Sequence, residues 1–382
     1  MTWLVRFLKS GNVPAGLVGM LILVGCVERA LARLELGTMT LAQWEFRLAR
    51  NAAVREAKGL DVLCFGDSLV KNGVAPSVIE KRSGLRGYNL ALDGGQPSTS
   101  YYLLRRALAS GARPSAILVD FFPKSLGFSP HVLVEPLPEL LSYSDCLDLA
   151  WTYRDSVLFA SLVLRKAAFS IRNRETIRSR VVLAIRGQPN TSDFDNHRLI
   201  RNWIYNRGAL IVPSHADFLD FDVNGYKYNG KEFYCHPVNR LYIERFLRLA
   251  TAHEIPVILL VPPILPIVQE KCEATGFEAK QTVFLRDIQA QFPGVTILDG
   301  RRADYDRMAF YEPIHLKRTG AYNYSMALAG LLREMRRGDR PLARWASLPR
   351  YRGLQDLECW GSMEDLYETT VALNRTENGA RR

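Results

Sequence analysis

Residues 61–69 read Asp-Val-Leu-Cys-Phe-Gly-Asp-Ser-Leu, a short apolar run that ends in a glycine and two polar residues. A nearly continuous apolar run of this length predicts a strand buried on both faces, as parallel sheets require. Gly66 permits a tight turn after the strand, so Asp67 and Ser68 are predicted to begin a helix. Strand, turn and helix in this order are the unit from which α/β folds are built.

Further apolar runs predict more strands of the same kind. They begin at Gly87, Ala116, Ile255 and, most weakly, Val295. Segments with helical spacing lie between or after them, at 78–82, 101–109, 242–253 and 283–291. Strands that alternate with helices predict an α/β fold with a doubly wound parallel sheet of about five strands.

The composition narrows the class of protein. Of the 382 residues, 48% are hydrophobic and 23% are charged, which excludes a disordered, collagenous or coiled-coil chain. A mean hydropathy of −0.07 excludes a polytopic membrane protein. The six cysteines form no C-x-x-C pair, and no glycine-rich phosphate-binding motif follows the first strand. We therefore expect no metal site and no cofactor.

The N-terminus carries a candidate membrane segment. Two basic residues precede a charge-free run at 10–27, which predicts an uncleaved signal anchor within residues 1–37. The catalytic part would then lie outside the cytoplasm, in the periplasm or at the cell surface. Residues 38–60 are amphipathic and predict a helical stalk. Two alternatives stay open: a lipoprotein with Cys26 as the lipidated residue, and a buried N-terminal helix of a cytosolic protein.

The remaining chain divides into a core, an insertion and a tail. The α/β domain is predicted at 61–345. Residues 127–239 interrupt the alternation of strands and helices and are too long for a connection, so they predict an inserted helical cap. Residues 346–382 predict a peripheral tail.

The formal net charge of +11 is unevenly distributed. Residues 161–210 hold ten Lys and Arg against three Asp and Glu, and residues 331–352 hold seven against two. The rest of the chain is therefore close to neutral. Such basic segments fit anionic lipid head groups or an acidic polymer, or they are solvated arginine faces. No nucleic-acid-binding motif accompanies the charge, so nucleic acid is not an expected partner.

A serine at the carboxyl end of the first strand is a candidate nucleophile. In open parallel sheets, ligands bind outside the carboxyl ends of the strands. The Ser68 hydroxyl would be exposed there, and its backbone N–H at a helix N-terminus favours developing negative charge. The alternative is a simple helix cap, in which Asp67 or Ser68 satisfies free N–H groups of the helix.

Three motifs resemble the SGNH/GDSL hydrolases. Gly-Asp-Ser-Leu at 66–69 is similar to the first block of that family. Gly94, five residues after Asn89, matches a glycine whose N–H joins the oxyanion hole. The segment from Glu312 to His315, followed by Leu-Lys-Arg-Thr-Gly-Ala, looks like the family's Asp-x-x-His-Leu-x-x-x-Gly-Ala block.

The resemblance covers about residues 61–123 and 240–335 and implies the family's flavodoxin-like sheet. It also implies Ser68 as nucleophile, His315 as general base and Glu312 as the acid that orients it. The oxyanion hole would contain the backbone of Ser68 and Gly94. Asp67 and Asn89 would line the site.

Two departures from the family pattern bear on this site. The usual acid is Asp, so Asp304, Asp306 or a backbone partner of His315 stays an alternative to Glu312. The family also offers an Asn after the third strand as an oxyanion donor, where this chain has Lys124. Either Lys124 donates or the hole has two backbone donors, and loss of one donor lowers the rate by about 10²–10³-fold.

The resemblance implies a serine hydrolase that acts on acyl esters through an acyl-enzyme. An anchor and a long insertion are similar to membrane-tethered SGNH proteins that modify polysaccharides, often beside a membrane-bound acyltransferase. The expected substrate is therefore an acylated envelope glycan, and the expected activity is that of an O-acetylesterase or O-acetyltransferase. The alternative is a catalytically weak or inactive SGNH-fold module that binds a glycan or an acyltransferase partner.

Overall fold

A computed structural model describes residues 15–34, 39–188, 192–216, 233–338, 343–354 and 357–380. The predicted apolar runs form the strands of a parallel sheet. The strands are β1 Val62–Phe65, β2 Gly87–Asn89, β3 Ala116–Asp120, β4 Val257–Val261, β5 Val295–Asp299 and β6 Trp345–Ser347. Their order is β2-β1-β3-β4-β5-β6, and every neighbouring pair is parallel. The predicted α/β class with a parallel sheet is confirmed, with six strands instead of about five.

Helices precede, separate and follow these strands. Before β3 they are α1 Ala15–Leu34, α2 Leu41–Arg55, α3 Ser68–Gly73, α4 Pro76–Ser83 and α5 Pro97–Ala109. Between β3 and β4 they are α6 Pro123–Leu126, α7 Leu137–Leu140, α8 Tyr143–Tyr153, α9 Ser156–Ala167, α10 Phe169–Arg172, α11 Arg174–Ile185, α12 Ser192–Tyr205 and α13 Pro237–Ala252. After β4 they are α14 Pro266–Ala274, α15 Phe277–Gln291, α16 Arg318–Arg337 and α17 Leu366–Ala380.

The sheet is buried on both faces because side chains alternate along each strand. Leu63 and Phe65 of β1 belong to one apolar cluster, which α2, α5, α13 and α15 cover. Val62 and Cys64 belong to the other cluster, which α4 and α16 cover. Burial on both faces explains why the strands read as continuous apolar runs in the sequence.

The chain leaves β1 toward β2 on one side and later returns to β3 on the other side of β1. Connections that diverge in this way open a crevice at the carboxyl ends of the two central strands. The turn with Ser68 follows β1, and Asp120 ends β3. Both therefore lie at this crevice.

The N-terminal segment contributes to the core. The stalk predicted for residues 38–60 differs from the structure, because Phe46, Ala49 and Ala53 of α2 are buried in the first cluster. An amphipathic pattern is equally suited to a helix that covers a sheet. The predicted anchor run at 10–27 begins outside the described residues, which enter it at Ala15. Among the described helices, none combines the length and the apolar character needed to cross a membrane.

The predicted insertion is mostly helical in its described parts. Helix α7 packs against α2 and α5, α9 packs against α7 and α8, and Leu140, Leu149 and Leu158 join the first apolar cluster. Asp145 of α8 accepts hydrogen bonds from the guanidinium groups of Arg105 and Arg106. The insertion therefore covers the helical layer on one face of the sheet.

The segment after α16 packs into the α/β domain, which differs from the peripheral tail predicted for residues 346–382. Residue Trp345 pairs with Ile297, which places β6 at the edge of the sheet. Asp365 forms a buried ion pair with Arg318 at 3.0 Å, at the start of α16. The tail therefore braces the helix that follows the His315 loop.

Gly320 on α16 is packed too closely to accept a side chain, which predicts an effect of substitution on stability. A Cβ at Gly320 would overlap the Ala309 carbonyl oxygen, whereas a Cβ at Gly330 of the same helix would meet nothing within 4 Å. We expect Gly320→Ala to lower the free energy of unfolding by about 1–3 kcal/mol, because overpacking forces backbone shifts. Gly330→Ala should raise it by about 1 kcal/mol through helix propensity. Urea denaturation measures both, and equal stabilities would contradict the close packing of α16.

Candidate active site

The turn after β1 is fixed by its contact with the end of β3. Gly66 has φ +130°, and a side chain there would overlap the Asp120 carboxyl group. The Asp67 backbone N–H donates to Asp120 Oδ1 at 3.0 Å. Only glycine fits both the conformation and the space, so the sequence signal at Gly66 reflects this approach.

Asp67 caps the helix that follows the turn. Its Oδ1 accepts a hydrogen bond from the Leu69 N–H at 2.9 Å, and its Oδ2 accepts one from the Ser125 hydroxyl at 3.2 Å. The capping alternative therefore holds for Asp67. Because Asp67 performs this task, the half-buried Ser68 hydroxyl is left for another partner.

That partner is His315, which lies 247 residues later in the chain. His315 Nε2 is 2.7 Å from Ser68 Oγ, and His315 Nδ1 bonds to Glu312 Oε1. The Tyr311 ring stacks on the imidazole, with ring centroids 5.7 Å apart and planes 18° apart. The structure therefore brings together the serine, histidine and glutamate that the sequence singled out.

Glu312 reaches the histidine because its loop is short and folds back. Its Oε1 also accepts hydrogen bonds from the N–H groups of Ile314 at 3.3 Å and His315 at 2.9 Å. The two alternative acids are engaged elsewhere. Asp304 pairs with Arg350 at 3.2 Å, and Asp306 caps a 3₁₀ turn through the Met308 N–H at 2.8 Å.

Two backbone N–H groups are available beside the serine turn. In the described parts of the chain, neither the Ser68 nor the Gly94 N–H donates a hydrogen bond to an acceptor. Gly94 is exposed and has φ +64°. Its loop is held against the turn, since the Leu92 N–H donates to the Gly66 carbonyl at 3.1 Å. The arrangement is suited to binding an oxyanion.

A buried ion pair supports both the loop and the helix. Glu45 Oε1 on α2 accepts from the Asp93 N–H at 2.6 Å and lies 2.9 Å from Lys71 Nζ. Lys71 follows Ser68 on α3, and its ammonium group sits 4.3 Å from the centre of the Trp203 ring. Burial raises the pKa of Glu45, and the nearby Lys71 opposes that shift. The sequence pattern did not predict this pair, although a glutamate next to Phe46 on an amphipathic helix is a signal for a buried charge.

The remaining predicted residues lie near the site without joining the triad. Lys124 is exposed on α6, and it is Ser125 of that helix that contacts Asp67. Asn89 is buried, and its side-chain amide donates to the carbonyl oxygens of Val70 and Val74, both at 2.9 Å. Asn89 therefore fixes the end of α3 and its junction with the next helix.

The two carboxyl groups at the turn share one buried environment. Burial raises the pKa of Asp67 to about 6, while hydrogen bonds and the nearby His315 oppose this shift. Burial, together with the neighbouring Asp67 carboxylate, raises the pKa of Asp120 well above its ordinary value. Two adjacent buried carboxylates repel each other, so the pair favours a state in which one of the two carboxyl groups keeps its proton.

A small cavity lies behind the serine helix. Its volume is about 40 Å³, and Leu69, Phe122, Ile264, Cys272 and Phe277 contribute apolar walls. Leu69 adjoins Ser68 in the chain, so this pocket begins next to the candidate nucleophile.

No family model matches the chain, and no curated protein matches its sequence at a significant level. Within the described ranges, no cluster of three or more His, Cys, Asp or Glu side chains could hold a metal ion. The geometry of the site is therefore the evidence for its chemistry.

The raised pKa values of Asp67 and Asp120 predict that the stability of the fold depends on pH. The folded chain holds protons on Asp67 and Asp120 at pH values where the unfolded chain, with ordinary pKa values near 4, has released them. Stability from this pair is thus present at low pH and is lost as the pH rises from about 4 through 6. Asp120→Asn carries no such proton, so its stability relative to wild type should rise with pH across this window.

The slope of that difference should reach about 1.4 kcal/mol per pH unit for each proton involved. Urea denaturation from pH 4 to 7 measures it, with exposed Asp304→Asn as the control. A stability difference for Asp120→Asn that stays constant with pH would show that the pair titrates normally.

Proposed function

We propose that this chain is a serine hydrolase or acyltransferase of the SGNH/GDSL type that acts on acyl esters. The observation that carries the proposal is the chain of contacts from Ser68 Oγ to His315 Nε2 and from His315 Nδ1 to Glu312. A hydroxyl in contact with a base that a carboxylate orients is the arrangement by which weak nucleophiles are activated.

In the proposed reaction, Ser68 Oγ attacks the acyl carbonyl carbon while His315 Nε2 takes the hydroxyl proton. The Ser68 and Gly94 N–H groups stabilise the negative charge on the carbonyl oxygen. The tetrahedral intermediate expels the alcohol, which receives the proton from His315. An acyl-serine remains on the enzyme. Glu312 holds the imidazole in the required tautomer and stabilises its charged form.

The second half of the reaction returns the enzyme to its first state. His315 takes a proton from the acceptor, whose oxygen attacks the acyl carbonyl carbon. The tetrahedral intermediate then expels Ser68 Oγ, which receives that proton from His315. Water as acceptor gives an esterase, and a sugar hydroxyl gives an O-acyltransferase. Both use the same side chains, so the triad supports either outcome.

The pocket beside Leu69 offers partly apolar walls next to the candidate nucleophile, where the acyl group of a substrate could lie. We propose an acylated envelope glycan as the substrate and a location outside the cytoplasm. The expectation of an N-terminal anchor and the basic segments of the chain support both parts of this proposal.

The alternative of a non-catalytic module has one observation in its favour. The segment after β3 provides an exposed Lys124 where the family has an asparagine. This position therefore lacks the asparagine side chain that would serve as a third oxyanion donor. Binding of an acetylated oligosaccharide without acetate release or transfer would support the module.

The nucleophile can be tested directly. We expect Ser68→Ala to lower kcat for p-nitrophenyl acetate by roughly 10³-fold or more, because the residues of a triad act as a unit. A serine-directed phosphonate should label Ser68, as mass spectrometry would show. Ser179→Ala, at an exposed position of α11, is the control. Full turnover by Ser68→Ala would exclude the proposed mechanism.

The acid can be tested against its alternatives. Glu312→Gln should lower kcat by about 10²–10⁴-fold with little change in KM, because the amide cannot stabilise the charged imidazole. Asp304→Asn and Asp306→Asn should retain the activity of the wild type. A large loss of kcat in Asp306→Asn, together with an active Glu312→Gln, would assign the role to the other acid.

A further inference from the structure

Large apolar side chains are exposed along the inserted helices. Trp151 on α8 is 81% exposed, Val157 on α9 is 68% exposed and Ile185 on α11 is 80% exposed. Helix α9 contacts α8 and α10, and α10 contacts α11, so these side chains lie on consecutive, touching helices. Several large apolar side chains that are exposed on touching helices favour an interaction site.

Helix α11 has no buried residue along its twelve positions. A helix of this length is marginally stable in water by itself, because most helical stability comes from packing. Its second half is the apolar run Val-Val-Leu-Ala-Ile at 181–185. An apolar environment other than the protein core would provide the missing stabilisation.

Helix α1 extends the same surface. Ile22, Leu23 and Val24 are all more than half exposed, although consecutive residues of a helix point about 100° apart. The described residues therefore cover no side of this part of α1. Its Glu28 accepts hydrogen bonds from the N–H group of Ser170, at 2.9 Å, and from the Ser170 hydroxyl, which joins α1 to α10.

The charge of these helices selects the partner. Residues 143–186, from α8 to the end of α11, hold eight Lys and Arg against four Asp and Glu, a net charge of +4. The positive excess lies at 165–186, which hold seven Lys and Arg against one Glu. Arg178 is exposed on α11, four residues before the exposed Val182. Apolar side chains interspersed with arginines are typical of surfaces that lie at the boundary of anionic lipid head groups and acyl chains.

We propose that α1 and α8–α11 form a docking surface for an anionic lipid bilayer. Apolar side chains such as Trp151, Val157 and Ile185 enter the head-group boundary, and the arginines meet lipid phosphates. This inference stands independently of the proposed acyl-ester chemistry, because it uses none of the residues of the Ser68 site.

The test is flotation of the full chain with vesicles of phosphatidylcholine alone or mixed with phosphatidylglycerol. Val157→Asp should lower the partition coefficient by roughly tenfold, through loss of apolar contact and added negative charge. The matched control is Val283→Asp on α15, a valine with the same 68% exposure at the β5 side of the sheet. The N-terminal run is present in every variant, so its contribution cancels.

Charge dependence provides the second arm. Arg178→Gln should weaken binding by about fivefold on vesicles with phosphatidylglycerol and should not change binding to phosphatidylcholine alone. Arg337→Gln, at the end of α16 on the opposite face of the sheet, should behave like wild type. Added salt should weaken the binding that depends on Arg178.

Three results would overturn the proposal. The first is equal binding by Val157→Asp and Val283→Asp, and the second is binding that ignores both lipid charge and salt. The third is a dimer that Val157→Asp dissociates without any change in vesicle binding, which would assign the surface to a second copy of the chain. Circular dichroism and urea denaturation show that the compared variants are equally folded.

Discussion

The hydrogen bond from the Asp67 N–H to the Asp120 carboxyl group is the contact on which the candidate site depends. It joins the ends of β1 and β3 where the sheet connections diverge, and it requires a glycine at position 66. The resulting turn aims Asp67 at the helix N-terminus as a cap, which leaves the Ser68 hydroxyl for His315. This one backbone contact therefore makes Asp67 the capping residue and leaves Ser68 as the candidate nucleophile.

The second support comes from the N-terminal helix α2. Its Glu45 contacts both the Gly94 loop and Lys71 on the serine helix. A buried ion pair adds little net stability, because the desolvation of both charges offsets their attraction. Its consequence here is positional: three separate segments are fixed relative to one another around the site. Helix α2 thus belongs functionally with the α/β core.

The sequence predicted five of the six strands and the grouping of Ser68, His315 and Glu312, but it did not predict most of the contacts that position them. Continuous apolar runs identify buried strands because both faces of the sheet are covered. Local spacing likewise places Glu312 and His315 on one loop. The partners of Asp120 and Glu45 depend on contacts between distant segments, and no local pattern encodes those. The same limit explains α2, because an amphipathic helix shows that an apolar face exists without showing what covers it.

The two positions that depart from the SGNH/GDSL pattern differ in their structural surroundings. Glu312 stands where that pattern has an aspartate, and its carboxylate reaches His315, since the longer side chain folds back onto the N–H groups of its own loop. The extra methylene is absorbed locally, and the contact with the base is preserved. Lys124 lies on α6, which directs Ser125 toward Asp67 and leaves Lys124 exposed. The loop of Glu312 therefore accommodates a longer side chain beside the base, whereas the orientation of α6 sets which of its side chains faces the turn.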